Sequence, residues 1–68
     1  MNTSARSRRL ALGLSQQEMA ERAGISQPTV SQVENGYRPG AETRRRIADA
    51  LNVSEAELFP QHEIDRAA

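Results

Sequence analysis

Only Gly24 and Ile25 separate two segments of the chain that carry strong helix signals. The upstream segment opens with a capping box at Ser15 and Glu18, whose hydroxyl and carboxylate satisfy free amides of the first helical turn. The downstream segment opens with Ser26, a favoured N-cap residue, and has a proline in its first turn. Because so short a connection leaves no room for a gradual bend, the two helices must turn sharply against each other.

Turn and cap signals divide the rest of the chain into three further helical segments, and no stretch alternates as a strand does. Together they predict an all-α protein, a compact five-helix bundle whose core is built mostly from small aliphatic groups. The first segment runs from a cap at Thr3 or Ser4 to Gly13, the fourth from Ala41 to Leu51, and the fifth from a capping box at Ser54 and Glu57 to Pro60.

Composition excludes several classes of site. The chain has no Cys, which rules out disulfides and Cys-based zinc sites. No apolar run approaches the roughly 18 residues of a membrane span. The single His, His62, has no second His and no carboxylate cluster at ligand spacing, so we expect it to be solvent-exposed. We therefore expect a cytoplasmic protein that is not an enzyme, with no membrane, metal or cofactor partner.

The zero net charge of the chain hides an uneven distribution. Residues 1–46 hold eight Arg against four acidic residues, a net charge of +4, and residues 47–68 hold one Arg against five acidic residues, a net charge of −4. A neutral chain argues weakly against a nucleic-acid partner. The basic N-terminal part weakens that objection.

The downstream helix of the sharply turned pair has one apolar and one polar side. Val30 and Val33 repeat at i, i+3 and are expected to face inward, while the small Ala20 suits a close approach of the two helices. A short Gly-containing turn between helices at a steep crossing is the helix-turn-helix geometry. The side chains left outward are Gln27, Pro28, Ser31 and Gln32.

Residues 16–35 resemble the helix-turn-helix of the Cro/C1-repressor (XRE) family in Ala20, Gly24 and the apolar residues that follow. The likeness extends through "GLSQ", "ENG", "RP", "IADALNVS" and Leu58, and covers roughly residues 5–60. It implies a lambda-repressor-like DNA-binding domain over residues 1–60, followed by a C-terminal tail over 61–68. It also implies sequence-specific binding of double-stranded DNA by a transcriptional regulator, most simply a repressor.

In that family the third helix lies in the major groove. The resemblance makes Gln27 and Gln32 the main base readers, with Pro28 and Ser31 between them. A Gln amide pairs with adenine N6 and N7 together and discriminates against other bases by about 1–3 kcal/mol. Pro28 has no donor and offers only an apolar contact. Without the resemblance, exposed polar residues with no role in base reading would be the favoured interpretation of both glutamines.

The resemblance also implies which residues hold the DNA backbone. Gln16 resembles the family's phosphate-binding Gln that buttresses the first base reader, and the helix N-terminus adds partial positive charge there. Such contacts position a protein without reading sequence. The other expected phosphate contacts are Asn35, Tyr37, Arg38 and Thr43.

Two groups of Arg have competing interpretations. Arg9 and Glu34 occupy positions that pair as a partly buried salt bridge in lambdoid repressors, and we favour that role over a phosphate contact and an isolated acid. For Arg44 to Arg46 a solvated helix face is favoured over binding to the DNA backbone. Arg44 departs from the apolar residue usual in the family.

One reading helix covers only about four or five base pairs, so a homodimer on a pseudo-palindrome is expected. Leu58 and Phe59, with Ile64, are the apolar residues left for dimer contacts. Two alternatives stay open. The chain is an antitoxin or other protein-interaction module that masks a toxin and regulates its own synthesis, or it is the DNA-binding part of a longer protein.

Overall fold

The structure is a computed structural model that describes residues 2–60. Five α-helices form within this range. No strand occurs in this range, so the prediction of an all-α, five-helix bundle is confirmed. None of these helices is long and apolar enough to cross a membrane. The expected tail over 61–68, with His62 and Ile64, lies outside the described residues. The helices are α1 (Thr3–Ala11), α2 (Gln16–Ala23), α3 (Gln27–Glu34), α4 (Ala41–Leu51) and α5 (Glu55–Leu58).

Side-chain caps start four of the helices. In α2 the Ser15 hydroxyl accepts a hydrogen bond from the Glu18 amide at 3.0 Å, and the Glu18 carboxylate accepts one from the Ser15 amide at 2.8 Å. The hydrogen bonds from Ser15 lower the pKa of Glu18. The predicted second capping box, at the start of α5, is also present, and Ser26 caps α3. Local sequence therefore sets where α2, α3 and α5 begin.

The predicted cap of α1 is wrong. The N-cap is Asn2, whose side-chain oxygen accepts a hydrogen bond from the Ala5 amide at 3.1 Å, and Thr3 is already helical. The Asn2 side-chain nitrogen donates to the carbonyl oxygen of Leu58 at 2.9 Å. The cap is thus held in place by α5, a contact that the local pattern of Ser and Thr does not contain.

The turn between α2 and α3 depends on Gly24. Its φ of 73° lies in the left-handed region, which a glycine adopts without steric cost. The next amide, that of Ile25, donates back to the carbonyl oxygen of Ala20 at 2.9 Å and closes the end of α2. The chain therefore reverses within the few residues that the sequence predicted, and α3 packs against α2.

The core lies where the inner faces of the helices meet. The apolar face of α4 is buried, with Ile47 and Leu51 completely inaccessible to solvent. The short α5 closes the core with Leu58, and Phe59 follows it; each side chain is only 4% exposed. The largest fully buried side chains are Met19, Ile47, Leu51, Val30 and Val33.

Candidate nucleic-acid interface

The exposed side of α3 carries the four residues predicted to read bases. Because Val30 and Val33 are completely buried, the opposite face of the helix is turned outward. Pro28 and Gln32 are exposed there, and Gln27 and Ser31 are half-buried. The structure thus brings these four side chains onto one face at the N-terminal end and middle of α3.

The first of these side chains is held by a hydrogen bond from its neighbouring helix. The side-chain nitrogen of Gln27 donates to the side-chain oxygen of Gln16 at 2.7 Å. The side-chain nitrogen of Gln16 in turn donates to Glu34 Oε1 at 3.1 Å. Gln16 at the start of α2 therefore connects the two ends of α3.

Glu34 belongs to a buried ion pair with α1. Arg9 Nε lies 2.6 Å from Glu34 Oε2, and Arg9 Nη2 donates to Glu34 Oε1 at 3.1 Å. A third guanidinium nitrogen, Nη1, donates to the carbonyl oxygen of Leu14 at 2.8 Å. Arg9 and Glu34 are 7% and 4% exposed, so neither is available to a ligand. Their arrangement is the structural salt bridge, rather than a phosphate contact and an isolated acid.

The buried pair shifts the pKa of both members. Desolvation by burial acts to raise the pKa of Glu34, but the hydrogen bonds from Arg9 and Gln16 outweigh it, and the pKa lies below its ordinary value. The hydrogen bond to Glu34 raises the pKa of Arg9. Glu34 is therefore ionised at neutral pH and accepts hydrogen bonds without donating any.

The residues expected to hold phosphates follow α3 and begin α4. Asn35 is the C-cap of α3 and is exposed, and Tyr37 is 56% exposed. Thr43 is half-buried in the first turns of α4. Arg38 is half-buried and donates through Nη1 to the carbonyl oxygen of Pro60 at 3.1 Å. This contact draws the guanidinium toward the end of α5.

The solvated face predicted for the three consecutive arginines is wrong for Arg44. Its Nε lies 2.8 Å from Glu55 Oε2, and its Nη1 donates to the carbonyl oxygen of Pro39 at 2.8 Å. Arg45 and Arg46 are exposed, and Arg46 pairs with Glu42 one turn earlier at 2.9 Å. The Arg44 contacts join α4 to α5 across a gap of eleven residues. No local sequence signal marks such a pair.

Leu58 and Phe59, expected as dimer contacts, are placed in the core of the single chain. Their burial follows from the shortness of α5, which has no other large apolar side chain with which to close the bundle. In this chain neither side chain is therefore exposed for contact with a second copy. The large apolar side chains that are exposed among the described residues are Leu10 and Tyr37.

Part of the positive charge of the domain is paired internally. Arg9, Arg44 and Arg46 are in ion pairs, and Arg8 and Arg38 keep their charge but donate to backbone carbonyls. The ion pairs lower the net positive charge offered to a polyanion, and the sequence pattern alone did not reveal all of them. Within residues 2–60, the arginines with no ion pair or side-chain hydrogen bond to the described chain are Arg6, Arg22 and Arg45.

Comparison with known proteins gives one consistent result. A family model described as helix-turn-helix matches residues 6–58. An uncharacterized HTH-type transcriptional regulator of Mycobacterium tuberculosis H37Rv is 46% identical over 55 residues, which are 79% of this chain and 39% of the relative. Its counterpart in strain CDC 1551 gives the same values. An uncharacterized HTH-type transcriptional regulator of Methanothermobacter thermautotrophicus is 44% identical over 52 residues, 75% of each protein.

The chain spans about two fifths of the length of the mycobacterial relatives, since 39% of each is covered. No solved structure gives a significant match.

Proposed function

Because the chain belongs to the Cro/C1-type helix-turn-helix family of DNA-binding transcriptional regulators, we propose that it reads double-stranded DNA with α3 in the major groove. The observation that carries the proposal is the 2.7 Å hydrogen bond between Gln27 and Gln16. It holds a base-reading amide at the N-terminus of α3 beside a second amide at the N-terminus of α2. A solvated surface glutamine has no need of such support.

Base reading is assigned to the outward face of α3. Gln27 and Gln32 supply amides that suit adenine, Ser31 supplies a hydroxyl, and Pro28 supplies an apolar surface for a thymine methyl group. Gln32 lies five residues after Gln27, more than one helical turn further along the helix, so the two amides address different base pairs.

Positioning on the DNA backbone is assigned to residues around α3. Gln16 keeps one N–H for a phosphate while the other binds Glu34, and the α2 N-terminus adds partial positive charge. Asn35 and Tyr37 are exposed beyond the other end of α3. The remaining phosphate contacts are assigned to Arg38 and Thr43. To reach a phosphate, the Arg38 guanidinium gives up its hydrogen bond to the carbonyl oxygen of Pro60.

The regulator acts as a repressor and binds as a homodimer on two half-sites about one helical turn apart. Residues 1–60 form its DNA-binding domain. Since three of the eight arginines in residues 2–60 are in ion pairs, a single copy binds weakly, and the second copy supplies the remaining affinity and the selectivity. With Leu58 and Phe59 buried, the second copy is held through exposed side chains and through the spacing of the half-sites.

Selection of bound sequences from a library of random duplexes tests the proposal. We expect enrichment of a pseudo-palindrome, an affinity that falls steeply with salt through counterion release, and a dimer by sedimentation on the selected duplex. Gln27→Ala should abolish preference at one base pair of each half-site, and Arg38→Ala should weaken binding to all sequences alike. Absence of any enriched sequence would refute DNA reading, and the reverse behaviour of the two variants would refute the assigned roles.

A further inference from the structure

Four polar side chains connect the core of the domain to its exposed reading face. Arg9 binds Glu34, Glu34 accepts from Gln16, and Gln16 accepts from Gln27. The first two are buried, Gln16 and Gln27 are half-buried, and the sequence spreads the four over α1, α2 and both ends of α3. We call this set the amide relay.

Each step of the amide relay has only one possible direction. The ionised carboxylate of Glu34 only accepts hydrogen bonds, so Gln16 must turn its nitrogen toward it. The carbonyl oxygen of Gln16 then faces Gln27, and an oxygen only accepts, so Gln27 must also turn its nitrogen inward. Reversing either amide would bring two acceptors or two donors together.

The amide relay therefore fixes the orientation of the Gln27 side-chain amide, at the end of the relay that faces the DNA. The nitrogen of Gln27 points toward Gln16 and keeps one N–H, and its carbonyl oxygen is left without a partner in the relay. Adenine presents a donor at N6 beside an acceptor at N7, whereas guanine presents acceptors at both O6 and N7. An amide held in one orientation therefore suits adenine, and a freely flipping amide can turn a donor toward O6 of guanine.

We propose that Glu34 is a positioning residue for base reading, whose charge fixes the orientation of the Gln27 amide through Gln16 and so sets adenine over guanine at the base pair that Gln27 contacts. The inference rests on the proposed function, and it adds a buried residue that touches no DNA to the determinants of specificity. A purely structural Glu34 would influence stability and affinity for all sequences without changing preference at one position.

The first test needs no DNA. Side-chain amide resonances of the free protein, measured by nuclear magnetic resonance, should show Gln16 and Gln27 restricted and the exposed Gln32 mobile. Glu34→Gln should release the Gln27 amide, and Gln17→Met, which alters a neighbouring side chain bonded only to Glu21 on α2, should not. A Gln27 amide as mobile as that of Gln32 in the unmodified protein would overturn the inference, whatever DNA binding shows.

The second test uses duplexes that differ by adenine or guanine at the position where Gln27→Ala loses its preference. We expect the unmodified protein to favour adenine by about 5- to 150-fold, and Glu34→Gln to reduce that ratio several-fold with other positions unchanged. The ratio is insensitive to the fraction of folded protein, because both duplexes are bound by the same sample. An unchanged ratio, or equal relaxation at every position, would overturn the inference.

A second variant keeps the inference testable if Glu34→Gln does not fold. Gln16→Met interrupts the amide relay at its middle and leaves the buried pair of Arg9 and Glu34 intact. It should lower the adenine preference in the same way and also weaken binding to all sequences. In the Gln27→Ala background, neither Glu34→Gln nor Gln16→Met should change the ratio further. A selection without any enriched sequence refutes the proposed function, while the resonance test still decides the relay.

Discussion

Two kinds of Arg and Glu pair occur in this small domain, and they differ in what surrounds them. The pair of Arg9 and Glu34 is buried, with side-chain exposures of 9% and 4%, and is joined by two hydrogen bonds. The pair of Arg46 and Glu42 on α4 has exposures of 49% and 70%. The same chemical groups therefore lie in two environments.

Burial, rather than the pairing itself, decides how much stability is lost when an ion pair is disrupted. Removing one partner of a buried pair leaves an unpaired charge out of water and costs about 3–5 kcal/mol. An exposed pair is screened by solvent and salt and contributes about 0–1 kcal/mol. Arg44 and Glu55, with exposures of 15% and 36%, lie between these limits.

The largest expected effect comes from Glu34→Ala. It leaves the Arg9 guanidinium buried without its partner and removes the acceptor for Gln16, so the free energy of unfolding should fall by about 3–5 kcal/mol. Urea denaturation followed by circular dichroism measures this. Glu21→Ala, on an exposed part of α2, is the control and should change stability by less than about 0.5 kcal/mol. Similar losses for the two variants would show that burial does not set the cost of removing a carboxylate.

Lowering the pH should destabilise the domain by protonating Glu34 in the same pair. Because the pKa of Glu34 is lower in the folded than in the unfolded chain, its contribution to stability is complete above the unfolded pKa, near 4.5, and is lost as pH falls through the folded value. Thermal unfolding from pH 7 to pH 2 should show this decline. The decline should be shallower in Glu34→Gln, which cannot titrate. An identical pH profile for both proteins would contradict a role for this carboxylate.

The intermediate pair should give an intermediate coupling. A double-mutant cycle with Arg44→Met and Glu55→Gln isolates their interaction, which we expect to be about 0.5–1 kcal/mol. Arg44→Met alone also loses the hydrogen bond to the Pro39 carbonyl, and the cycle cancels that loss. A coupling of several kcal/mol would show that partial exposure screens this pair far less than expected.

The smallest effect belongs to the exposed pair within α4. Glu42 and Arg46 stand at i, i+4 spacing, which stabilises a helix slightly at low salt. Glu42→Gln should lower stability slightly in low salt and not measurably in 1 M sodium chloride. Paired urea titrations at the two salt concentrations measure the change. A loss that persists in high salt would require a cause other than charge pairing.

Much of the fold could be predicted because its signals are local. The capping box at Ser15 and Glu18 involves residues three positions apart, and one helical turn fixes their separation. Gly24 and Asn52 take the left-handed conformation expected for helix ends. The spacing of Val30 and Val33 alone determined which side of α3 is buried.

The candidate site was predictable as a set of residues, but its internal contacts were only partly so. The resemblance indicated that Gln16 supports the first reader and that Arg9 pairs with Glu34. It did not indicate that Gln16 also donates to Glu34, which joins these two contacts into one relay. The apolar character of Leu58 and Phe59 did not show that they are buried in the core, since an apolar residue suits either a core or an interface.

Local sequence patterns were enough to predict where α2 to α5 begin, which faces are apolar, and that a sharp turn joins α2 to α3. The cap of α1 was not, and the contacts of Asn2 with the Leu58 carbonyl, of Arg44 with Glu55 and of Gln16 with Glu34 became known only from the folded chain. The two groups of features differ in the range over which their contacts act. Caps and turns are set by backbone geometry within one helical turn, whereas these contacts join residues that meet only through the way the helices cross.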